Sequence, residues 1–206
     1  MGELIIHHLD DLLSGTIQLI SMDIDGRQYR DRSPQGAILS GSFNPLHYGH
    51  LQLAAAGAAK VGLEAYFELA VTNADKGTIA PETVRARATQ FIGRGRLLLS
   101  RVPLFRQKAE LYPGCAFIVG YDTVVRLLDP RYYGGVDALT HALAEIDATG
   151  CRFIVAGRAD GEYFRTLDDV AIPVAFQHLF VGMSAAEFRA DISSSAIRAG
   201  KQIHSG

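Results

Sequence analysis

The sequence has little of several features that mark specialised classes of protein. Its 206 residues include no tryptophan and only two cysteines, Cys115 and Cys151, both inside apolar stretches that are typical of strands. Two such cysteines do not form the framework of a disulfide-rich protein, and we interpret them as small buried side chains. The N-terminal residues include early acidic side chains and no cleavage-site pattern, which argues against a signal peptide. We therefore expect a cytoplasmic protein.

An excess of charge of either sign is also lacking. The 20 basic and 22 acidic residues give a net charge of −2, which is not typical of a general nucleic-acid or membrane-surface binder. The distribution is uneven, because residues 76–108 contain eight basic residues and a single acidic one, Glu82. This segment is either a set of solvated helix faces or a patch that binds an anion. A third interpretation, nucleic-acid binding, is disfavoured by the charge of the whole chain.

A run of apolar residues without polar interruption is missing too. Residues 37–59 carry no formal charge, but they contain Asn44, Pro45, two histidines and three glycines. A helix that crosses a bilayer would not carry so many polar and helix-breaking residues, so we expect no membrane span and no membrane partner.

From residue 36 onward, short apolar runs alternate with helical patterns, and we treat 36–206 as one domain. Such alternation is typical of an α/β protein with a mainly parallel sheet covered by helices on both faces. Residues 1–35 form an extension, with a short helix that ends at Gly15 and a β-hairpin turning at Asp25-Gly26. Strands are predicted at 37–43, 67–73, 97–102, 116–122 and 152–158, and helices at 50–63, 81–93 and 136–146.

The strongest local signal is the segment 41–50, which reads Gly-Ser-Phe-Asn-Pro-Leu-His-Tyr-Gly-His between a buried strand and a helix. In open α/β sheets, ligands bind outside the carboxyl ends of strands, where helix N-termini favour phosphate. Gly41 and Gly49 let the backbone approach a ligand, and His47 and His50 are spaced to face the same way. Their imidazoles can donate hydrogen bonds to phosphate oxygens. No nearby Cys or His completes a zinc site, and the Gly-Lys-Ser/Thr ending of a Walker A loop is absent.

A second signal lies near the C-terminus, where residues 191–198 read Asp-Ile-Ser-Ser-Ser-Ala-Ile-Arg. Serines that open a helix are common N-caps, and this structural role stays open. Ser193, Ser194 and Ser195, with Arg198 one turn later, also form a set of donors for phosphate. Together with the first segment, they favour a phosphate site.

The two segments together resemble the signatures of the HxGH nucleotidylyltransferase superfamily, whose second motif usually reads Ile-Ser-Ser-Thr-x-x-Arg. The resemblance covers residues 37 to about 200. Residues 119–123, Val-Gly-Tyr-Asp-Thr, are similar to the Gly-x-Asp element of the nicotinamide and nicotinate mononucleotide adenylyltransferases, as is the long interval between the motifs. The resemblance implies a Rossmann-like, doubly wound sheet. It also implies transfer of a nucleotidyl group, most simply adenylyl from ATP, to a phosphate acceptor, with Mg²⁺ assisting and pyrophosphate released.

The resemblance implies roles for the matching residues. His50 contacts the α-phosphate and His47 the triphosphate oxygens, while Ser193, Ser194 and Arg198 hold the β- and γ-phosphates. With Arg198, the two histidines are the expected catalytic set. The remaining nucleotide-binding positions are Gly41, Ser42, Phe43, Asn44, Gly49, Gly120, Asp122 and Ser195. Arg158 follows a predicted strand, so it either reaches the nucleotide or caps a turn.

The acceptor side is less well marked. Lys76, Arg106 and Lys108 follow the second and third predicted strands at the same sheet edge, where they could meet an acceptor phosphate; exposed helix faces are the alternative. Nicotinate-type relatives often place a tryptophan against the pyridine ring, and this chain has none. The aromatic residues that could replace it are Phe105, Tyr112, Tyr132 and Tyr133.

Three other interpretations remain open. The acceptor could be a phosphopantetheine-, glycerol-phosphate- or sugar-phosphate-like compound. The chain could also be a non-catalytic nucleotide-binding module, although its intact motif residues argue against that. Self-association into a homo-oligomer is compatible with the sequence but is not indicated by any motif.

Overall fold

The computed structural model describes residues 4–73, 77–161 and 163–189. The helices are α1 (Leu9–Ser14), α2 (Tyr48–Val61), α3 (Pro81–Thr89), α4 (Phe105–Leu111), α5 (Tyr121–Leu127) and α6 (Val136–Ala148). The strands are β1 (Leu19–Met22), β2 (Gln28–Arg30), β3 (Gly36–Ser40), β4 (Glu64–Ala70), β5 (Thr72–Asn73), β6 (Gly77–Thr78), β7 (Arg96–Ser100), β8 (Ala116–Gly120), β9 (Arg152–Ala156), β10 (Arg158–Asp160), β11 (Tyr163–Arg165) and β12 (Phe180–Met183). Short 3-10 helices span Pro130–Tyr132, Leu167–Asp169 and Val174–Leu179.

The main sheet has eight strands in the order β12–β9–β8–β3–β4–β7–β1–β2. The strands from β12 to β7 pair in parallel, whereas β1 and β2 join antiparallel. From β3 the chain builds outward through β4 and β7, then returns to add β8, β9 and β12 on the other side. This is the doubly wound order, so the predicted Rossmann-like α/β fold is confirmed. The order reverses between β3 and β8, where folds of this kind bind their ligands.

Helices cover both faces of this sheet because successive side chains of each strand point to opposite sides. Leu39 of β3 belongs to a buried cluster with Ala54 and Ala58 of α2. Its neighbour Ile38 belongs to a second buried cluster with Leu143 of α6. No helix in the described ranges is long and apolar enough to cross a membrane.

The N-terminal extension is part of the sheet. Helix α1 ends at Ser14 and is capped by Gly15, whose φ of +91° suits glycine, and β1 and β2 form the predicted hairpin. Strand β1 pairs antiparallel with β7, with Ile20 opposite Leu99. The extension therefore covers an edge that β7 would otherwise leave unpaired, and open edges invite aggregation. This gives the described part of the extension, residues 4–35, a structural role that the sequence alone does not decide.

Several element boundaries differ from the sequence predictions. The strand predicted at 116–122 ends at Gly120, and the following residues form α5, which the sequence analysis did not predict. The helix predicted at 81–93 ends at Thr89. At the end of β8 the apolar pattern runs from a strand into a helix, so hydrophobicity alone does not mark the boundary.

Candidate functional site

The turn between β3 and α2 lies beside the point where the strand order reverses. Phe43 anchors it from inside: the ring is buried, with its centroid 5.7 Å from that of Phe67 and 5.1 Å from that of Phe91. The φ of Phe43 is +44°, in the left-handed region that non-glycine residues rarely adopt. A Cβ atom on Gly41 would lie 2.9 Å from the Phe43 ring, so glycine at this position lets the turn close over it. The buried Phe43 ring therefore anchors the turn to the core of the protein.

The other predicted residues of this turn lie on its outer side or in the helix that follows. Ser42 and Asn44 are exposed, and the Asn44–Pro45 peptide is cis. Gly49 is buried in the first turn of α2. Exposed backbone and small polar side chains thus lie next to the helix N-terminus, as the sequence predicts for a phosphate site.

His47 and His50 stand together at the start of α2, as the N-cap residue and the third helical residue. The backbone N–H of His47 donates to Nδ1 of His50 at 3.3 Å, and the two rings stack with centroids 3.7 Å apart. The Phe43 ring meets His50 edge to face at a centroid distance of 5.1 Å. Because Nδ1 accepts a hydrogen bond, the neutral ring of His50 carries its proton on Nε2. His50 therefore holds an N–H donor at a helix N-terminus.

The two histidines are uncharged near neutral pH. Burial, reinforced by the neighbouring His47, lowers the pKa of His50 from 6.5 to about 4. Burial also lowers the pKa of His47. Attraction of an anion to this turn therefore comes from N–H donors and from the positive end of the α2 dipole rather than from imidazolium charge.

Gln90, just after the last residue of α3, holds the turn from the other side. Its side-chain amide donates to the carbonyl oxygen of Phe43 at 3.0 Å, and its amide oxygen accepts from the N–H of Leu46 at 2.8 Å. Sequence reasoning missed this residue, because a glutamine in Ala-Thr-Gln-Phe belongs to no motif.

Gly120, Asp122 and Arg158 meet at the carboxyl ends of β8 and β9. Gly120 precedes α5, and a Cβ atom there would meet nothing within 4 Å, so the space above it is open. The parallel register sets Gly120 opposite Ala156, and Asp122 forms an ion pair with Arg158. Both side chains are 60% exposed. The pair lies on the β8 side of the reversal point, where a ligand in the crevice can reach it.

A cavity of about 570 Å³ opens between the starts of α4 and α6, helix α5 and the 3-10 helix before α6. Phe105, Tyr132 and Tyr133 line it, so three of the four aromatic residues expected near an acceptor come together. Tyr132 is 63% exposed, which leaves its ring accessible. Because α4 and α5 begin where β7 and β8 end, the cavity lies at the same sheet edge as the histidines, but on the face opposite α2.

Cationic side chains border this cavity. The guanidinium of Arg126 lies over the Tyr132 ring, 5.4 Å from its centroid. Arg106, a predicted acceptor ligand, also lines the cavity, and its guanidinium pairs with Glu145 at 3.2 Å. Nearly half of the Arg106 side chain is exposed, so an anionic ligand can compete for it.

Two residues expected at the acceptor are buried elsewhere, and those predictions need correction. The ammonium of Lys108 is 4% exposed and pairs with the carboxylate of Glu68. The Tyr112 hydroxyl donates to the same carboxylate at 3.4 Å, and burial raises the pKa of Tyr112 well above its usual value. Ser40 and Ser100 complete what we call the Glu68 cluster, donating to its carboxylate at 2.5 and 2.6 Å. Lys108 and Tyr112 therefore support the sheet rather than face the cavity.

The basic segment 76–108 does not form a single patch in its described part. Arg96 pairs with Glu64 at 3.1 Å, where β4 and β7 begin. Arg101 donates to the carbonyl oxygen of Leu12 at 3.2 Å, near the end of α1. Arg96 and Arg101 thus make contacts in different parts of the molecule.

Five predicted site residues lie outside the described residues, and with them the whole second motif. They are Lys76, Ser193, Ser194, Ser195 and Arg198.

A family model described as cytidylyltransferase-like matches residues 38–200. The chain belongs to the cytidylyltransferase-like family. The match spans both motifs, the turn after β3 and residues 191–198. Membership supports nucleotidyltransferase activity for this cytidylyltransferase-like protein without indicating which nucleotide or acceptor it uses. A search of curated proteins found no match.

Proposed function

We propose that this nucleotidyltransferase transfers an adenylyl group from ATP to a phosphate-bearing acceptor of the nicotinamide or nicotinate mononucleotide type. The observation that carries the proposal is the state of His50. Its uncharged ring offers an Nε2–H donor at the N-terminus of α2, beside the reversal in strand order. A fixed donor in this location can stabilise charge that develops on a transferred phosphoryl group.

In the proposed reaction, an oxygen of the acceptor phosphate attacks the α-phosphorus of the triphosphate. The bond from the α-phosphorus to the oxygen that bridges to the β-phosphate breaks, and pyrophosphate leaves with that electron pair. No protein side chain becomes covalently attached, so positioning and charge stabilisation account for the rate. His50 donates to the α-phosphate and His47 to the triphosphate, while Ser193, Ser194 and Arg198 hold the departing phosphates.

The nucleotide is proposed to lie across the reversal point. The turn after β3 presents backbone to it, and the exposed pair of Asp122 and Arg158 reaches it from the β8 side. The full proposed set of nucleotide contacts is Gly41, Ser42, Phe43, Asn44, Gly49, Gly120, Asp122, Arg158 and Ser195.

The acceptor is proposed to occupy the cavity between α4, α5 and α6. Its volume of about 570 Å³ suits a small molecule. A pyridine ring would stack on Tyr132 or Tyr133, and Arg106 would bind an anionic group. Lys76 stays a proposed ligand of the acceptor phosphate.

Mg²⁺ is proposed to reach the site on the triphosphate. The described residues contain no group of three or more His, Cys, Asp or Glu side chains that could hold a metal ion. Mg²⁺ commonly binds phosphate oxygens and water with few protein ligands. When bound, the ion would neutralise phosphate charge, and the protein would contribute the N–H donors around it.

An acceptor panel tests the proposal. The full chain is incubated with ATP or CTP, Mg²⁺ and one of several phosphates, and pyrophosphate release is measured. We expect release with ATP and nicotinamide or nicotinate mononucleotide. If only a phosphopantetheine-, glycerol-phosphate- or sugar-phosphate-type acceptor reacts, or only CTP, the specificity proposed here is wrong. Release with no pair would contradict transferase activity and leave a nucleotide-binding module.

A further inference from the structure

The turn that carries the histidines depends on one side chain from another element. Between Phe43 and Leu46, the turn directs a carbonyl oxygen and an N–H toward the end of α3, and Gln90 meets both, at 3.0 and 2.8 Å. The second hydrogen of the same amide faces the carbonyl oxygen of Arg87 at 3.3 Å. All three bonds agree on one orientation of the amide. A flipped amide would set its NH2 group against the Leu46 N–H and its oxygen against two carbonyl oxygens.

Few side chains can replace this glutamine. Asparagine has the same amide but is one methylene shorter. Glutamate keeps an acceptor for Leu46 but, when ionised, has no donor for Phe43 or Arg87. Methionine has nearly the same shape and offers neither a strong donor nor a strong acceptor. The position thus requires a side chain of the length of glutamine that carries both a hydrogen-bond donor and an acceptor.

The bonds act directly on the catalytic end of α2. Leu46 is the residue before His47, and the His47 N–H in turn fixes Nδ1 of His50. At the other end, Phe43 is held at a φ of +44°, a left-handed conformation that is unfavourable for a non-glycine residue unless its surroundings stabilise it. Gln90 therefore fixes the backbone on both sides of Asn44–Pro45, one residue before the first histidine.

We propose that Gln90 is a positioning residue for nucleotidyl transfer, which holds the 43–46 turn so that His47 and His50 keep their stacked arrangement. This inference rests on the proposed function. Gln90 acts through the backbone of the turn. A merely structural residue would lower activity only through unfolding, whereas loss of Gln90 should lower kcat more than it lowers the stability of the fold. The buried Phe43 ring keeps the turn folded without it.

The test compares Gln90→Met with Thr83→Val, a control two helical turns earlier in α3. Thr83 and Gln90 both line a surface groove between α3 and the Asn44–Pro45 segment. For Gln90→Met we expect kcat to fall about 10- to 100-fold, as for a misplacement of about 1 Å. The acceptor KM should stay near its wild-type value, and the midpoint of thermal unfolding should fall by only a few degrees, because the Phe43 carbonyl and the Leu46 N–H lose a partner. Amide exchange of the Leu46 N–H should accelerate at least about tenfold, since its acceptor is lost. Thr83→Val should change none of these.

Gln90→Glu provides a second variant of the same size, in case the methionine variant folds poorly. It keeps the acceptor for Leu46, so Leu46 should stay protected, while kcat should still fall because the donor to Phe43 is gone. A Gln90→Met or Gln90→Glu protein with wild-type kcat would overturn the inference. So would a loss of activity that unfolding fully explains. An inactive wild-type chain would instead contradict the proposed function, which separates the two failures.

Discussion

The two sides of the crevice are built differently. On the β3 side, the turn that carries His47 and His50 is held by a buried ring and a bidentate amide. The strand before it ends in Ser40, a member of the Glu68 cluster on the opposite face of the sheet, whose Lys108–Glu68 pair is 4% and 0% exposed. On the β8 side, the Asp122–Arg158 pair is 60% exposed at both partners, and Tyr132 is 63% exposed. Preorganised groups suit the reacting phosphate, since they need not reorganise during the reaction. Exposed groups suit recognition, since a ligand can displace their present partners.

The largest expected effect is a difference in folding free energy between breaking the buried Lys108–Glu68 pair and breaking the exposed Asp122–Arg158 pair. Lys108→Met leaves the Glu68 carboxylate buried without its cation, and breaking a buried pair costs about 3–5 kcal/mol of folding free energy. Arg158→Met at the exposed pair should cost less than about 1 kcal/mol. Urea unfolding of the two variants measures the difference.

A Glu68→Gln/Lys108→Met double variant is the matched control for that comparison. Removing both charges should recover much of the stability lost in Lys108→Met, since no buried charge is left uncompensated. Equal losses for Lys108→Met and Arg158→Met would show that the two sides do not differ in this way.

On the open side, recognition should change without loss of stability. Tyr132→Ala should raise the acceptor KM about 2- to 12-fold, the range expected from losing one aromatic contact of about 0.5–1.5 kcal/mol. The triphosphate KM and the free energy of unfolding should stay unchanged. Steady-state kinetics with each substrate varied in turn checks this. An effect on the triphosphate alone would place the acceptor elsewhere.

A separate test of the β3 side concerns acid stability. The pKa of His50 is about 4 in the folded protein and near 6.5 when unfolded, so between these values the unfolded chain binds more protons. Stability from this group is therefore present above pH 6.5 and lost as the pH falls toward 4. His50→Gln should make the fall in unfolding free energy over this interval shallower, as measured by urea unfolding at several pH values. An identical slope in the variant would contradict the lowered pKa.

Much of the fold could be predicted from sequence, because alternating apolar runs and helical patterns reflect a sheet buried on both faces. The turn at 41–50 was recognisable for a similar reason: glycines and histidines at a strand–helix junction carry local information. Glu68 gave a fainter signal, as one acidic residue inside the apolar strand Phe-Glu-Leu-Ala-Val, where a buried charge requires partners.

Other features depend on contacts between distant segments. The roles of Lys108 and Tyr112 follow from α4 packing over β4, 40 and 44 residues away in sequence. Gln90 reaches Phe43 across 47 residues. No local pattern indicates which of several polar side chains will turn inward, so Lys108 and Arg106, two residues apart, were expected to act alike and do not.

The most direct test of the account is the turnover of His50→Ala with the best acceptor of the panel, measured as pyrophosphate release beside His178→Ala, a control histidine that pairs with Asp147 away from the turn. The account predicts a fall in kcat of about 10²- to 10³-fold for His50→Ala, the usual cost of removing one fixed donor to a developing charge. Triphosphate binding should survive at reduced strength, and His178→Ala should be fully active. Wild-type turnover in His50→Ala would remove this histidine from the mechanism and contradict the proposal.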